Sequence, residues 1–405
     1  MHNRQMLTAA LAALTVVGCA AGGQDQATQA KTPAAGTSTP STPEQGSQPA
    51  ETPAPSTSPL SMNVKDGATQ VPVSTQITVT GNPSDVQVTT NASGKNAVPK
   101  ITGKLNDKGS WVADDRLDPG ARYTVNATGP AGESTTASFT TATLSRSQEV
   151  FPTLSPVING PYGVAQPIVV HFDVPVKNKA EFERNMHVTS TPTQEGSWGW
   201  YDDKTVHYRP KQHWKPGTKI SLDARLNGVD AGGGNYGQLN RTLELEIGKN
   251  QSGKVDIAKH TITWLRDGKP VGTWPMTAGK PGFTTRSGTK LVMEKAEHIK
   301  MNSETTGIAQ DSPEGYNVPV AYALRVTSSG EFIHSAPWNT GNFGVRNASH
   351  GCVGMDEGQM YKLYTTAQIG DPVVFTGSSR KLEVGNGWTE WDMTWEQWKK
   401  KSALS

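Results

Sequence analysis

With 38 basic against 36 acidic side chains in 405 residues, the net charge is +2, and nothing in it argues for nucleic acid or a strongly acidic ligand. The length accommodates several domains, and 42 glycines and 27 prolines point to strands and turns rather than long helices. Cysteine occurs only at Cys19 and Cys352, so the chain has no disulfide framework to speak of.

The N-terminus has the form of an export signal. Arg4 precedes an apolar run over residues 7–17, too short to span a bilayer but suited to a signal-peptide core. The run ends in Val16-Val17-Gly18-Cys19, which resembles the lipobox of bacterial lipoproteins. That resemblance implies a signal peptide over residues 1–19, lipidation of Cys19, and anchoring on the outer face of the cell membrane, towards the cell wall. An ordinary secretory signal with an incidental cysteine is the other reading. Residues 20–59 hold seven prolines and no aromatic residue, Ile, Leu or Val, so they cannot bury a core. They read as a disordered tether with a coil-like reach of about 35 Å and a stretched reach of roughly 120 Å.

From residue 60 the pattern turns to short alternating runs: 76–80, 86–90, 123–127 and 138–141, then 168–172, 205–208, 219–226 and 242–247. Leu117-Asp118-Pro119-Gly120 and Trp214-Lys215-Pro216-Gly217 each lead into such a run, a weak internal repeat. Two immunoglobulin-like β-sandwiches are predicted, over residues 60–145 and 146–250, serving as spacers or platforms. His171, His187, His207 and His213 lack zinc-site spacing, and the loop at residues 230–235 offers one carboxylate, far short of a calcium shell. No metal is predicted.

A third, mostly β domain is predicted over residues 251–377. Residues 261–265 and 271–274 flank Arg266-Asp267-Gly268 as a hairpin, with further strands near 290–294, 332–333 and 372–375. Met360, Leu363, Tyr364 and Ala367 recur at helical spacing over residues 356–368, behind Asp356 and Glu357. In the last segment, residues 378–405, Trp388, Trp391, Trp395 and Trp398 fall on one helical face, and Thr394 with Gln397 resembles a capping box. Docked on the preceding domain, that stripe would make the segment a strut fixing domain orientation; a glycan-stacking platform is the other reading.

The chemistry concentrates between His334 and Cys352. A lone cysteine in an exported chain is a liability unless the thiol is used. Cys352 closes Ser349-His350-Gly351-Cys352, and residues 335–348 separate that tetrad from His334. A thiol is mostly protonated at neutral pH, and a neighbouring imidazole is the usual means of activating it. A glycine-flanked loop just before the predicted helix would also bring backbone N–H groups to the thiol, lowering its pKa and forming an oxyanion hole.

The stretch from His334 through Cys352 resembles the signature of the L,D-transpeptidases, enzymes of bacterial peptidoglycan cross-linking, and the whole chain resembles their larger actinobacterial lipoprotein members. The resemblance implies Cys352 as nucleophile and His334 as general base and then acid. It gives the main-chain carbonyl of Ser335 the orienting role, and has His350 and Gly351 shape the nucleophile loop. Substrate contacts are implied for Tyr316 in an active-site lid, for Met301 and Trp338 beside the donor pocket, for the turn at Ser329 and Gly330, and for Ser349. Gly354 departs from the pattern: many members place there an Asn that contacts substrate, so any contact must come from backbone or another residue. Thr306 takes the apparent place of a lid tyrosine.

The implied reaction releases D-Ala from a tetrapeptide donor stem through a cysteine thioester. The acyl group passes to the diamino-acid amine of a second stem, giving a 3→3 cross-link. The resemblance implies no cofactor, peptidoglycan stem peptides as partners, no nucleic acid, a monomer, and acylation by carbapenems. An L,D-carboxypeptidase or cysteine amidase on the same stems stays open, as does a non-catalytic envelope lipoprotein binding partners through its sandwiches.

Overall fold

Alternating side chains build the first two thirds of the protein. In Arg122–Thr128 the side chains of Tyr123, Val125 and Ala127 are buried while their neighbours face outward, and Lys219–Arg225 repeats this with Ile220, Leu222 and Ala224. The computed structural model describes residues 58–92, 101–157 and 160–405; the signal predicted over 1–19, Cys19 and all but the last two residues of the tether lie outside the described residues. The first immunoglobulin-like sandwich packs the sheet of Ser61–Met62, Thr78–Thr80, Trp111–Ala113 and Gly103–Leu105 against Asp85–Thr90, Arg122–Thr128 and Ser134–Thr140. The second packs Gly196–Trp200, Thr205–Pro210, Ile168–Phe172 and Pro152–Ser155 against Pro161–Tyr162, Asn240–Ile247, Lys219–Arg225 and Met186–Thr191. Phe172, Phe182 and Trp214 are fully buried between them.

The remainder is dominated by one nine-stranded mixed sheet, in the order Gly288–Leu291, Pro372–Thr376, Gln251–Asp256, Thr261–Arg266, Lys269–Thr277, Val353–Met355, Phe332–Ser335, Asn317–Arg325 and Glu294–Asn302. The predicted hairpin is present as Thr261–Arg266 and Lys269–Thr277, turning at Asp267 and Gly268, both with positive φ. The predicted helix is Glu357–Thr366: Asp356 caps it by accepting from the Gln359 N–H at 3.1 Å, and Met360 and Leu363 are buried against the sheet. Sequence alternation did not reveal the long hairpin of Glu294–Asn302 and Asn317–Arg325, whose outer strand is largely exposed and polar.

The tryptophan-rich tail breaks the single helical face expected for it. Glu390–Asp392 forms one turn and Trp395–Lys399 another, with Met393 extended between them because the Thr394–Gln397 capping box starts a new helix. The tail docks mainly on the second sandwich rather than on the domain just before it. The Trp391 and Trp398 indole N–H groups donate to Ala165 O (2.8 Å) and Ser197 O (3.0 Å), and the Arg209 guanidinium lies under Trp391, Trp395 and Trp398. A β-carbon on Gly199 would fall 2.6 Å from the Trp398 ring, so glycine is what admits the fully buried indole. Farther on, the buried Glu183 carboxylate accepts from Trp200 Nε1 (2.7 Å), Ser402 Oγ (2.5 Å) and Ala403 N (2.7 Å). The same tail reaches the nine-stranded sheet, where Asp392 accepts from the Thr289 N–H at 2.9 Å. It therefore ties the second sandwich to the strand carrying Lys290.

Candidate active site

Strand pairing brings the two halves of the motif together. Phe332–Ser335 runs parallel to Val353–Met355, with His334 opposite Gly354. Side chains two residues apart on a strand share a face, so Cys352, at the entrance to its strand, comes to the side on which His334 stands. Both residues line one cleft of about 200 Å³. Cys352 is free and half-buried; His334 is buried, with Nδ1 2.7 Å from the main-chain oxygen of Ser335. A carbonyl can only accept, so Nδ1 carries the proton of the neutral ring and Nε2 is left as the basic nitrogen.

The electrostatics describe a neutral resting pair. Burial pushes His334 down to about 4, against the opposing effect of its bond to Ser335. Burial pushes the Cys352 thiol up to about 11, the Phe332 N–H pulling the other way and the Glu331 carboxylate adding to the rise. The thiol also donates to Gly330 O at 3.6 Å, a bond available only to its protonated form. This corrects the expected lowering of the thiol pKa: a strand, not a helix N-terminus, follows Cys352 directly, and the helix begins only at Glu357.

The nucleophile loop is held from several sides. Gly351 adopts φ of 127°, a conformation that favours glycine, and its carbonyl accepts from Thr285 Oγ1 at 2.8 Å. Ser349 Oγ donates to Cys352 O at 2.6 Å and accepts from the Gly351 N–H at 3.1 Å, so this hydroxyl serves the loop itself. His350 Nε2 lies 2.6 Å from Glu314 Oε2, which also pairs with Lys280 at 2.5 Å, and the His350 ring packs between Phe283 and Tyr316. Hydrogen bonds from Lys280 and then His350 hold the Glu314 carboxyl below its usual range. Glu314 and Tyr316 belong to the excursion between Asn302 and Asn317, closed at its neck by paired Ser303 and Tyr316 backbones. A lid segment is thus hydrogen-bonded to the nucleophile loop.

Beneath the loop lies a second ionic cluster that sequence reading did not anticipate. Lys290, fully buried, donates to Glu331 Oε2 at 2.5 Å, and Arg286 donates to Glu331 Oε1 at 3.0 Å. Arg286 also pairs with Glu383 in the tail segment. Isolated charges in strands read as solvent-facing, and nothing in local sequence marks Lys290 and Glu331, 41 positions apart, as partners.

Two clefts meet at Cys352. The first contains His334, His350, Trp338, Gly354 and Ser349; the second, about 180 Å³, contains Gly330, Arg325, Lys300 and Thr306; Met301 and Tyr316 line both. Trp338 is 56% exposed and stacks on His334 with ring centroids 6.1 Å apart. Ser329 lines neither cleft, and its N–H donates to Asn386 at 2.9 Å, anchoring the turn to the tail segment. At Gly354 a β-carbon would meet Ala336 Cβ at 3.0 Å and Thr277 Cγ2 at 3.2 Å, so a larger residue there would press on both neighbours.

Residues 251–375 match the family model described as the L,D-transpeptidase catalytic domain, and residues 68–230 match one described as a bacterial Ig domain. Among curated proteins, L,D-transpeptidase 2 of Mycobacterium tuberculosis (strain CDC 1551 / Oshkosh) is 30% identical over 349 residues, 85% of each chain. L,D-transpeptidase 5 of Mycobacterium tuberculosis (strain ATCC 25618 / H37Rv) is 33% identical across 60% of this chain and 54% of that protein. Among solved structures, an L,D-transpeptidase from Mycobacterium smegmatis shares 32% identity over 56% of this chain and 99% of its own, with a TM-score of 0.47.

Proposed function

The chain belongs to the L,D-transpeptidase family, whose members act on peptidoglycan stem peptides, and from that premise we propose a cysteine-dependent transferase that forms 3→3 cross-links. The observation that carries this reading is a free Cys352 sharing a cleft with His334, whose Nδ1 is fixed on Ser335 O.

Cys352 Sγ attacks the carbonyl joining the diamino acid to D-Ala in a tetrapeptide donor, while His334 Nε2 takes the thiol proton. Between the resting groups that transfer is uphill, because burial makes the thiol a weaker acid and the imidazole a weaker base. The proton therefore moves as the C–S bond forms, and the cations Lys290 and Arg325 favour the charge on sulfur. Main-chain N–H groups around Cys352 hold the oxyanion. The C–N bond breaks, His334 returns its proton to the departing D-Ala amine, and a thioester remains. The amine of a second stem attacks that thioester, gives a proton to His334 and expels the thiolate, which is reprotonated. His350 and Gly351 keep the loop in shape, and Met301, Tyr316, Trp338, Gly330 and the Gly354 backbone bound the substrate.

A carbapenem carbonyl occupies the donor position and acylates the same thiol. Lipid on Cys19 and the tether of residues 20–59 place the monomeric enzyme outside the membrane, where it maintains cell wall and cell shape.

The test incubates the protein with a disaccharide tetrapeptide and reads products and intact-protein mass. A cross-linked dimer plus an acyl-enzyme lost in Cys352→Ala supports the proposal. A tripeptide as sole product would make the protein a carboxypeptidase, and no adduct at all would leave an envelope protein without this chemistry.

A further inference from the structure

The two clefts at Cys352 differ in charge. The one bounded by Trp338 contains no Lys, Arg, Asp or Glu; the other contains Arg325 and Lys300, again with no carboxylate. Strand register sets Arg325 between Glu294 and Phe332, and its guanidinium lies 4.4 Å from the centre of the Phe332 ring. Only Nε is spent, on Glu294 at 2.9 Å; both Nη groups lack a hydrogen-bond partner among the described residues. Glu294 is half exposed, so water screens its hold on the guanidinium. Lys300 is exposed and has no ion pair among the described residues. Ser328 and Asn302 also line this cleft, the Asn302 amide being held by Glu304.

A planar cation with unspent paired donors, seated on an aromatic ring and opening onto the nucleophile, matches a carboxylate. Resting on the function proposed above, we infer that the Arg325–Lys300 cleft is a carboxylate subsite that selects the donor stem and repels the acceptor's ammonium. Two donor groups have this chemistry: the terminal carboxylate of D-Ala, and the free carboxylate of the diamino acid when it is not amidated.

The experiment measures kcat/KM for acyl-enzyme formation with three tetrapeptide donors: both carboxylates free, the D-Ala carboxylate amidated, and the diamino-acid carboxylate amidated. Wild type, Arg325→Gln and Arg325→Lys are compared, with melting temperatures as a folding control. The wild type should lose about tenfold or more on one of the two amidated donors, which identifies the carboxylate that is read. Arg325→Gln should lose a similar factor on the free donor and no longer discriminate, with Arg325→Lys in between. Equal wild-type rates on all three donors, or discrimination that survives in Arg325→Gln, overturns the subsite while leaving the transferase intact. If the wild type acylates with none of the donors, the transferase reading fails and takes the subsite with it.

Discussion

His334 stands directly across from Gly354 on adjacent parallel strands, two residues beyond Cys352, so thiol and imidazole are brought together by sheet register rather than by a shared loop. The pair therefore depends on the sheet, while the lid and the Trp338 turn lie around it. That division fits a site whose two reacting groups wait in their neutral forms.

The first expectation concerns pH. With burial holding the thiol near 11, its thiolate fraction rises about tenfold per pH unit across neutral and mildly alkaline pH. Alkylation by iodoacetamide should accelerate steadily from pH 7 to 10 without a plateau. Acylation by substrate should instead be flat there and fall only in acid, as His334 takes up a proton towards its value of about 4. A thiol plateau near pH 7 would mean a resting thiolate–imidazolium pair.

The second concerns the buried cluster. Lys290→Met leaves Glu331 with Arg286 alone, so stability should fall, by less than the roughly 3–5 kcal/mol of a buried charge left wholly unpaired. It also removes a cation that favours the thiolate, so alkylation at fixed pH should slow. Adding Glu331→Leu should restore much of the melting temperature, since an apolar pair replaces a broken ionic one. Loss of stability without any change in thiol reactivity would confine the cluster to a packing role.

Glu314→Gln addresses the lid. The carboxylate is well exposed, so its pairs with Lys280 and His350 contribute little stability and the melting temperature should barely move. Donor KM should rise severalfold while alkylation of Cys352 stays unchanged. A fall in alkylation equal to the fall in turnover would point to a disturbed nucleophile loop instead.

Trp398→Ala should destabilise the protein by roughly 3–5 kcal/mol, since the indole is fully buried over Gly199 and its N–H bond is lost as well. A variant ending at Gly385 should melt lower still and expose the Arg209 face of the second sandwich. If it melts and acylates like the full chain, the strut reading is wrong and the tryptophans become candidates for glycan binding.

Much of this was legible in sequence because it is local. Strand alternation in Ile168–Phe172, the hairpin glycine at Gly268 and the capping box at Thr394 are each decided within a few residues. The His334–Cys352 pair announced itself through rare residue types. What escaped depends on distant partners: Lys290 with Glu331, Arg209 beneath three tail tryptophans, and the thiol's raised pKa, set by enclosure rather than by neighbours in the chain. The tail shows both sides. Its stripe marked a buried face, but which surface it would cover was written in Arg209 and Gly199, some two hundred positions earlier.

Glu183 carries that dependence to the last residues. Two of its three donors, Ser402 and Ala403, come from the end of the chain, and Ser402 is 219 positions away. A stop codon at position 402 would leave that buried carboxylate in the second sandwich with Trp200 as its one remaining donor of the three, a defect of the kind that costs about 1–3 kcal/mol.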